Sequence, residues 1–204
     1  MYSCKETKKQ KILEAAYLLF SENGYKQTKI SDIAATAGIG KGTVYEYFDS
    51  KESLLIDIFS TGIEEYMANC ERIVESEGTQ TEKLMELIKL ESKYTEENGT
   101  RMMKLSMMIL DTSDGLSVNF MKKMSDLWNE KYRFVYQILA KGIDKGEFRK
   151  MNTEIACISI MGTVGGYLNI KYGFSTLPDI ILPLDVNTLE IQELIELILK
   201  GIQA

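Results

Sequence analysis

The stretch TKISDIAATAGIGKGTVYEYF, residues 28–48, decides the fold. Its apolar residues recur at helical spacing on both sides of the turn Gly38-Ile39-Gly40, which predicts one short helix ending at Ala37 and a second from Lys41 to Phe48. Two short helices joined by a glycine-bearing turn of about three residues form a helix-turn-helix, whose second helix enters the major groove of DNA. The sequence therefore predicts a DNA-binding motif.

Single residues set the ends and the faces of these two helices. Thr28 is placed to cap the first helix, and Gly40 precedes the second, where glycine is a usable cap. We expect Val44, Tyr47 and Phe48 to turn toward the core, and for Tyr47 both packing and phosphate contact stay open. The other face of the second helix is then available to a partner.

That outer face has the chemistry of a nucleic-acid contact. Lys41 supplies positive charge, Gly42 lets the backbone approach a phosphate closely, and Thr43 and Tyr45 offer hydroxyls. Glu46 could read a cytosine amino group or point away from the phosphates, and we favour the second interpretation.

The rest of the chain is also predicted to be helical. The first helix runs from Lys8 to Phe20 before the stop signal Asn23-Gly24, and a fourth starts at Ser50 and carries an apolar face as far as Met67. Breaks are expected at Gly78, at Asn98-Gly99 and at residues 111–115. Further helices are expected at about 82–97, 100–110, 117–145, 153–172 and 189–201, with Pro178 and Pro183 in the loop before the last.

Composition narrows the classes of function. The chain has 204 residues, of which 45% are apolar and 26% charged, and so falls in the range of globular proteins. It has no histidine, which removes the commonest general base and metal ligand and excludes most hydrolase triads and zinc sites. A di-iron carboxylate bundle needs histidine too. We therefore expect an all-α protein that is not an enzyme, with no catalytic residues, metal or cofactor.

The net charge of −6 hides an asymmetry along the chain. Residues 1–51 carry eight basic and six acidic residues, whereas residues 52–204 carry sixteen basic and twenty-four acidic ones. Phosphate binding needs a basic footprint. The split indicates that the N-terminal part meets a polyanion while the remainder has another task.

Cysteine usage and hydropathy indicate the compartment. Cys4, Cys70 and Cys157 are odd in number and lack paired spacing, so we interpret them as reduced thiols; a redox-sensing Cys4 is the alternative. The most apolar run, residues 155–170, is shorter than the roughly 20 residues of a membrane span. With a polar start in place of a signal peptide, we expect a cytoplasmic protein without a membrane partner.

Residues 11–55 resemble the DNA-binding domain of the TetR family of transcriptional regulators. The segments that carry the resemblance are Ile12-Leu13-Glu14-Ala15-Ala16, Gly24-Tyr25, Thr28, Ile33-Ala34, Ala37-Gly38-Ile39, Lys41-Gly42-Thr43-Val44-Tyr45, Tyr47-Phe48 and Lys51. Gly40 departs from the pattern, because the family often has Ser or Thr there. The resemblance implies an N-terminal three-helix helix-turn-helix DNA-binding domain, residues 1–50, and a C-terminal helical effector-binding and dimerisation domain, residues 51–204.

The resemblance also implies a function. We expect a ligand-responsive repressor that binds a palindromic operator in double-stranded DNA as a homodimer and is released by a small apolar or amphipathic effector. The alternative is a helical interaction or adaptor module that has lost specific DNA binding. The expected DNA contacts are Thr28, Lys29, Gly40, Lys41, Gly42, Thr43, Tyr45, Tyr47 and Lys51.

Small residues mark the predicted dimer interface. A glycine inside a helix lowers stability by roughly 0.5–1 kcal/mol relative to alanine. The three glycines of helix 153–172 therefore suggest that another helix packs closely against them. The final helix has an apolar surface wider than one neighbour would cover, and the family usually pairs its last two long helices in a dimer. Packing within the chain is the alternative. The expected interface residues are Ala156, Ser159, Gly162, Gly166, Leu194 and Ile198.

Methionines and aromatic residues cluster in the middle of the chain. Flexible thioethers and aromatic rings suit an adaptable effector pocket, and they suit an ordinary core equally well. No basic pair in these helices stands out as a receptor for an anionic group. The candidate pocket residues are Tyr66, Tyr94, Met103, Met107, Phe120, Met124 and Trp128.

Overall fold

The computed structural model describes residues 8–110, 118–174 and 183–204, without the side chains of residues 105–110. Within these ranges the regular structure is helical apart from one isolated antiparallel bridge, Phe148 to Gln203, which confirms the all-α prediction. The α-helices are α1 Lys8–Asn23, α2 Ile30–Thr36, α3 Lys41–Tyr47, α4 Lys51–Ser60, α5 Ile63–Glu75, α6 Gln80–Leu110, α7 Val118–Asp144, α8 Thr153–Leu168 and α9 Ile191–Ile202. A π-helical segment, Asn169–Gly173, continues α8.

The chain forms two compact units. The first comprises the described residues within Met1–Thr61 and Lys104–Met124, and the second comprises those within Gly62–Met103 and Ser125–Ala204. Helix α4 therefore lies in the first unit, together with the helix-turn-helix. A division of function at residue 50 stays a prediction.

Local signals build the first unit. Helix α1 packs against α2 and α4, and α2 packs against α3. Gly24 and Gly38 have φ of +80° and +65°, the left-handed conformation that ends helices and that glycine adopts without steric cost. The side chains of Ile12, Phe20 and Ile33 are fully buried between these helices. The three predicted N-terminal helices and their glycine stops are confirmed.

Thr28 does not cap α2. Lys29 occupies the capping position, and its N–H donates to the Asp32 carboxylate at 3.4 Å. The Thr28 hydroxyl is used elsewhere, since Oγ1 lies 3.1 Å from the Leu19 carbonyl oxygen and 2.9 Å from that of Gly24. The hydroxyl thus fastens the loop before α2 to the end of α1.

Tyr47 does not belong to the core face of α3. Its side chain is 45% exposed, whereas Val44 and Phe48 are buried. Phe48 follows the last residue of α3 and has φ of −140° and ψ of 120°. This extended conformation turns the Phe48 ring into the core, and Tyr47 is left outside.

Two predicted helix boundaries beyond α3 are wrong. The fourth helix ends at Ser60, and Gly62, with φ of +80°, turns the chain before α5 begins at Ile63. Asn98-Gly99 does not interrupt α6. A Cβ on Gly99 would lie 3.1 Å from the Tyr172 carbonyl oxygen and 3.2 Å from the Tyr172 Cβ, so this glycine serves a close approach inside a helix.

The second unit is built from longer helices around one apolar core. Asn152 caps α8, because its side chain accepts the Ile155 N–H at 2.9 Å. Helix α7 ends at Asp144, close to the expected residue 145, and the chain turns at Gly146, where φ is +73°. No helix in the described ranges is long and apolar enough to cross a membrane. The most deeply buried core residues are Leu84, Ile138, Leu139, Phe148, Cys157, Leu168 and Ile195.

Candidate DNA-reading surface and effector cavity

Helix α3 presents an exposed face with polar, aromatic and backbone groups. Tyr45 is 48% exposed, and the Lys41 Nζ lies 5.9 Å from the centre of its ring. A Cβ built on Gly40 or Gly42 would meet nothing within 4 Å, so the backbone there is open to an approaching phosphate. Among the other predicted contacts, Lys29 and Tyr47 are exposed and Thr43 is half-buried.

Two predicted DNA contacts are engaged inside the first unit. Thr28 is only 3% exposed and makes the two hydrogen bonds described above. The Lys51 Nζ donates to the carbonyl oxygens of Tyr25, Lys26 and Thr28 at 2.7, 3.2 and 3.1 Å, and lies 4.4 Å from the centre of the Tyr25 ring. Burial lowers the pKa of Lys51. Direct contact of either side chain with DNA stays a prediction.

The second unit contains a cavity of about 430 Å³ between its helices. Residues of α5, α6, α7 and α8 form its wall, which is mainly apolar. Small-molecule sites are typically clefts of about 300–1,000 Å³ with a few polar groups in an apolar lining. The lining includes Tyr66, Cys70, Leu84, Leu87, Ile88, Glu91, Thr95, Trp128, Lys131, Phe134, Val135, Ile158, Met161, Gly162, Gly165, Leu168 and Asn169.

The cavity brings together two of the predicted pocket residues, Tyr66 and Trp128. Tyr94 does not line it but packs behind Tyr66, with ring centres 4.9 Å apart. Phe120 belongs to the first unit, where it packs against Phe59 with ring centres 5.2 Å apart.

The predicted methionines are not found in the lining. Met124 belongs to the first unit. The Met103 side chain lies beside Gly173, where a Cβ would come within 2.9 Å of the Met103 Cε. The Met107 side chain lies outside the described residues. Helix α6 begins in the second unit and ends in the first. Methionines that are close together in the sequence therefore belong to different units.

Sequence reasoning missed a polar cluster in the cavity wall. The Lys131 Nζ lies 2.5 Å from the Glu91 Oε1, and the Tyr66 hydroxyl donates to Glu91 Oε2. We call Tyr66, Glu91 and Lys131 the Glu91 cluster. Burial, and then the Glu91 carboxylate, raise the pKa of Tyr66 well above its ordinary value. Burial also raises the pKa of the neighbouring Cys70 thiol to about 11, so this cysteine stays protonated and unreactive.

A sequence signal for this cluster existed. Glu91 continues the buried stripe of α6 that contains Leu84 and Ile88, at helical spacing. Lys131 begins the buried stripe of α7 that contains Phe134 and Ile138. One acid and one base on the apolar stripes of two different helices predict a buried pair, since an unpaired buried charge is costly.

Helices α8 and α9 carry exposed apolar and small residues. Ile155 is 64% exposed and Leu197 68% exposed. On α8, Ser159, Gly162 and Gly166 follow Ile155 on one exposed stripe, and a Cβ on either glycine would meet nothing within 4 Å. In the described part of the chain no neighbour packs closely against these glycines, and Gly162 also lines the cavity. Of the other predicted interface residues, Ala156 and Leu194 are half-buried and Ile198 is buried.

The chain is similar to known bacterial transcriptional regulators. Residues 12–58 match the sequence profile described as bacterial regulatory proteins, tetR family. The chain is 27% identical over 161 residues to the fatty acid metabolism regulator protein of Bacillus subtilis (strain 168), an alignment that covers 78% of this chain and 81% of that protein. It is 36% identical over 74 residues to the HTH-type transcriptional repressor KstR2 of Rhodococcus jostii (strain RHA1), covering 36% of each.

The similarity extends to solved structures over nearly the whole chain. The transcriptional regulator FadR from Bacillus subtilis in complex with stearoyl-CoA superposes with a TM-score of 0.72 and 25% identity, covering 95% of this chain and 98% of that one. FadR from Bacillus halodurans gives a TM-score of 0.74 at 24% identity, covering 97% of each. With the helix-turn-helix in place and the profile match over it, the chain belongs to the TetR family of transcriptional regulators, and the predicted function as a ligand-responsive DNA-binding regulator is confirmed.

Proposed function

We propose that this protein is a repressor that binds a palindromic operator as a homodimer and is released by a long-chain acyl thioester. The observation that carries the proposal is the cavity of about 430 Å³ in the second unit. Its apolar wall suits an acyl tail, and its single ion pair suits a polar group beside that tail. The similarity to a regulator solved with stearoyl-CoA supports the same class of ligand.

The DNA contacts of the proposed complex come from the exposed face of α3 and the start of α2. Lys29 and Lys41 supply charge to phosphates, and the open backbone at Gly40 and Gly42 allows close approach. Hydroxyls come from Thr43, Tyr45 and Tyr47. Thr28 and Lys51 support this surface from inside, because both hold the loop that precedes α2. Action on DNA fits a cytoplasmic location.

The second copy covers the stripe of α8 and the exposed side of α9. Ile155 on α8 and Leu197 on α9 are both exposed, and a Cβ on Gly162 or Gly166 of α8 would meet nothing within 4 Å. Close packing of these helices against their symmetry mates would use that space. Residues 1–50 then read DNA, while residues 51–204 bind the effector and dimerise.

Selection of bound fragments from random DNA tests the repressor assignment. We expect an enriched palindrome whose half-sites are about 34–36 Å apart, because two recognition helices of a dimer occupy successive major grooves. Palmitoyl-CoA should release the purified protein from that palindrome, and coenzyme A without an acyl chain serves as the control. If no DNA sequence is enriched, the adaptor alternative holds; if release fails, the effector class is wrong.

Sedimentation of Leu197→Asp tests the proposed dimer. A carboxylate at the centre of an apolar interface should give a monomer at micromolar concentration that no longer binds the palindrome, because charges are excluded from interface cores. Leu18→Asp is the matched control, as Leu18 is 46% exposed on α1 of the first unit. A Leu197→Asp dimer that sediments like the wild type would remove α9 from the interface.

A further inference from the structure

The Glu91 cluster places two opposite charges in the wall of a mainly apolar cavity. Glu91 and Lys131 are the charged side chains in the described lining. Three helices contribute to the cluster, because Tyr66 lies on α5, Glu91 on α6 and Lys131 on α7. The side chains of Glu91 and Lys131 are 19% and 33% exposed, so both are partly removed from bulk water.

The three side chains of the Glu91 cluster differ in how many of their hydrogen-bond donors and acceptors are already used. The Glu91 carboxylate accepts one hydrogen bond from Tyr66 and one from Lys131. An ammonium group has three N–H donors and no acceptor, and the structure assigns one of them to Glu91. The Tyr66 hydroxyl uses its single proton to donate to Glu91. Lys131 is therefore the side chain of the cluster with donors to offer a ligand.

The charge balance of the cluster decides which ligand group these donors suit. Glu91 and Lys131 together are neutral, and Tyr66 adds no charge. A ligand carboxylate beside them would place two negative charges around one ammonium group, and burying a net charge without a partner is costly. A neutral carbonyl oxygen accepts a hydrogen bond from Lys131 and leaves the charge balanced.

We propose that Lys131 binds the neutral acyl carbonyl of the effector and that Glu91 excludes the corresponding free carboxylate. The Glu91 cluster thus determines specificity for thioesters over fatty acids. This inference rests on the proposed function, because it takes the cavity as the site of the acyl chain.

Trp128 provides a direct measurement of occupancy. It is the single tryptophan of the chain and lines the cavity, so ligand binding there should change its fluorescence. The probes are palmitoyl-CoA, palmitate and the palmitoyl thioester of N-acetylcysteamine, each below its micelle concentration. The last probe keeps the thioester carbonyl and omits the nucleotide. We expect the wild type to bind this thioester at least tenfold more tightly than palmitate.

Glu91→Gln tests the role of the carboxylate. The amide keeps the size of the side chain and an oxygen that can accept from Tyr66, while Lys131 becomes an unbalanced cation. Palmitate affinity should rise at least tenfold, and the preference for the thioester should fall by the same factor. Glu86→Gln is the matched control, since Glu86 is exposed on the same helix, and it should leave the preference unchanged.

A double variant keeps the test decisive if Glu91→Gln does not fold by circular dichroism. Glu91→Gln with Lys131→Met removes both charges and the Lys131 donors together, and we expect thioester affinity at least tenfold below wild type with no gain for palmitate. A thioester affinity within twofold of wild type would overturn the inference.

The remaining outcomes separate the inference from the proposed function. An unchanged preference in Glu91→Gln, with palmitoyl-CoA still bound, means that the pair only fastens α6 to α7; the inference is then wrong and the proposed effector class stands. If palmitoyl-CoA binds and the palmitoyl thioester of N-acetylcysteamine does not, only the inference is wrong. Absence of palmitoyl-CoA binding to the wild type overturns both.

Discussion

The charged residues of the two candidate sites lie in different surroundings, at the exposed surface of the first unit and in the cavity wall of the second. In the first unit, Lys29 and Lys41 are exposed above a compact apolar core. In the second, Glu91 and Lys131 face each other in the wall of a cavity. A polyanion as large as DNA is met from outside by solvated donors, whereas a small ligand needs a concave apolar surface with few polar groups. The same residue types therefore have different energetic consequences in the two units.

Lys51 lies between these two extremes. It is half-buried in the first unit, and its ammonium group is held by three backbone carbonyl oxygens. The family resemblance predicts it as a DNA contact, whereas its surroundings are those of a structural residue. Lys131 and Lys51 are both half-buried and Lys41 is exposed, so substitutions at these three lysines test the comparison.

The largest effect is expected at Lys131. Lys131→Met leaves the Glu91 carboxylate without its cation, and breaking a buried pair costs more than the pair is worth. Because both side chains are partly exposed, we expect a loss of about 1–3 kcal/mol in the free energy of unfolding, measured by urea denaturation. Lys141→Met, exposed on the same helix, should stay within about 0.5 kcal/mol of wild type. If Lys131→Met and Lys141→Met have the same free energy of unfolding, loss of the partly buried charge costs no more than loss of the exposed one.

Lys51→Met comes next. The substitution removes three hydrogen bonds from an ammonium group to the loop before α2, so we expect a loss of about 1–2 kcal/mol in unfolding free energy. Operator affinity should fall with it, because that loop positions the helix-turn-helix. Lys8→Met, an exposed lysine of α1, is the control. Lost affinity at unchanged stability would instead make Lys51 a direct phosphate contact.

Lys41→Ala should separate affinity from stability. An exposed lysine leaves the unfolding free energy within about 0.5 kcal/mol of wild type. Removing one phosphate contact should weaken binding to every DNA sequence and reduce the slope of log affinity against log salt by about one. A salt titration by fluorescence anisotropy measures both, with Lys150→Ala of the second unit as control. Unchanged affinity and slope would remove Lys41 from the contact surface.

The smallest effect is expected at Gly40. Its backbone already has the extended conformation of a helix cap, with φ of −64° and ψ of 142°, but it has no side chain to accept an N–H of α3. Gly40→Ser should raise the unfolding free energy by a few tenths of a kcal/mol, measured by thermal denaturation. Gly40→Ala cannot accept a hydrogen bond and should bring no gain. If serine and alanine behave alike, capping does not limit the stability of α3.

Most helix ends of this fold could be predicted because they depend on neighbours in the chain. Gly24, Gly38 and Gly146 end helices through a left-handed conformation that the glycine itself permits. Gly99 looks the same in sequence, yet α6 continues through it, and Tyr172 lies close against this position. That contact joins residues more than seventy positions apart, and no local pattern encodes it.

The two candidate sites also differ in how far the sequence alone predicts them. The exposed face of α3 follows from seven consecutive residues and one turn, so the sequence predicts it nearly complete. Tyr66 and Trp128 could be predicted as candidates for the cavity because they are large aromatic residues on apolar stripes. Glu91 and Lys131 were missed because each, taken alone, looks like an ordinary surface charge in a chain that is 26% charged.

The sequence by itself determined the helical fold, the helix-turn-helix and the asymmetry of charge, since these depend on periodicity and on residues within a few turns of each other. Only the tertiary structure decided that Gly99 admits a neighbour and does not end a helix. It also decided that Thr28 and Lys51 turn inward, and that Glu91 meets Lys131 beside a cavity. Such facts depend on contacts between distant helices, whose packing places each side chain in water or out of it.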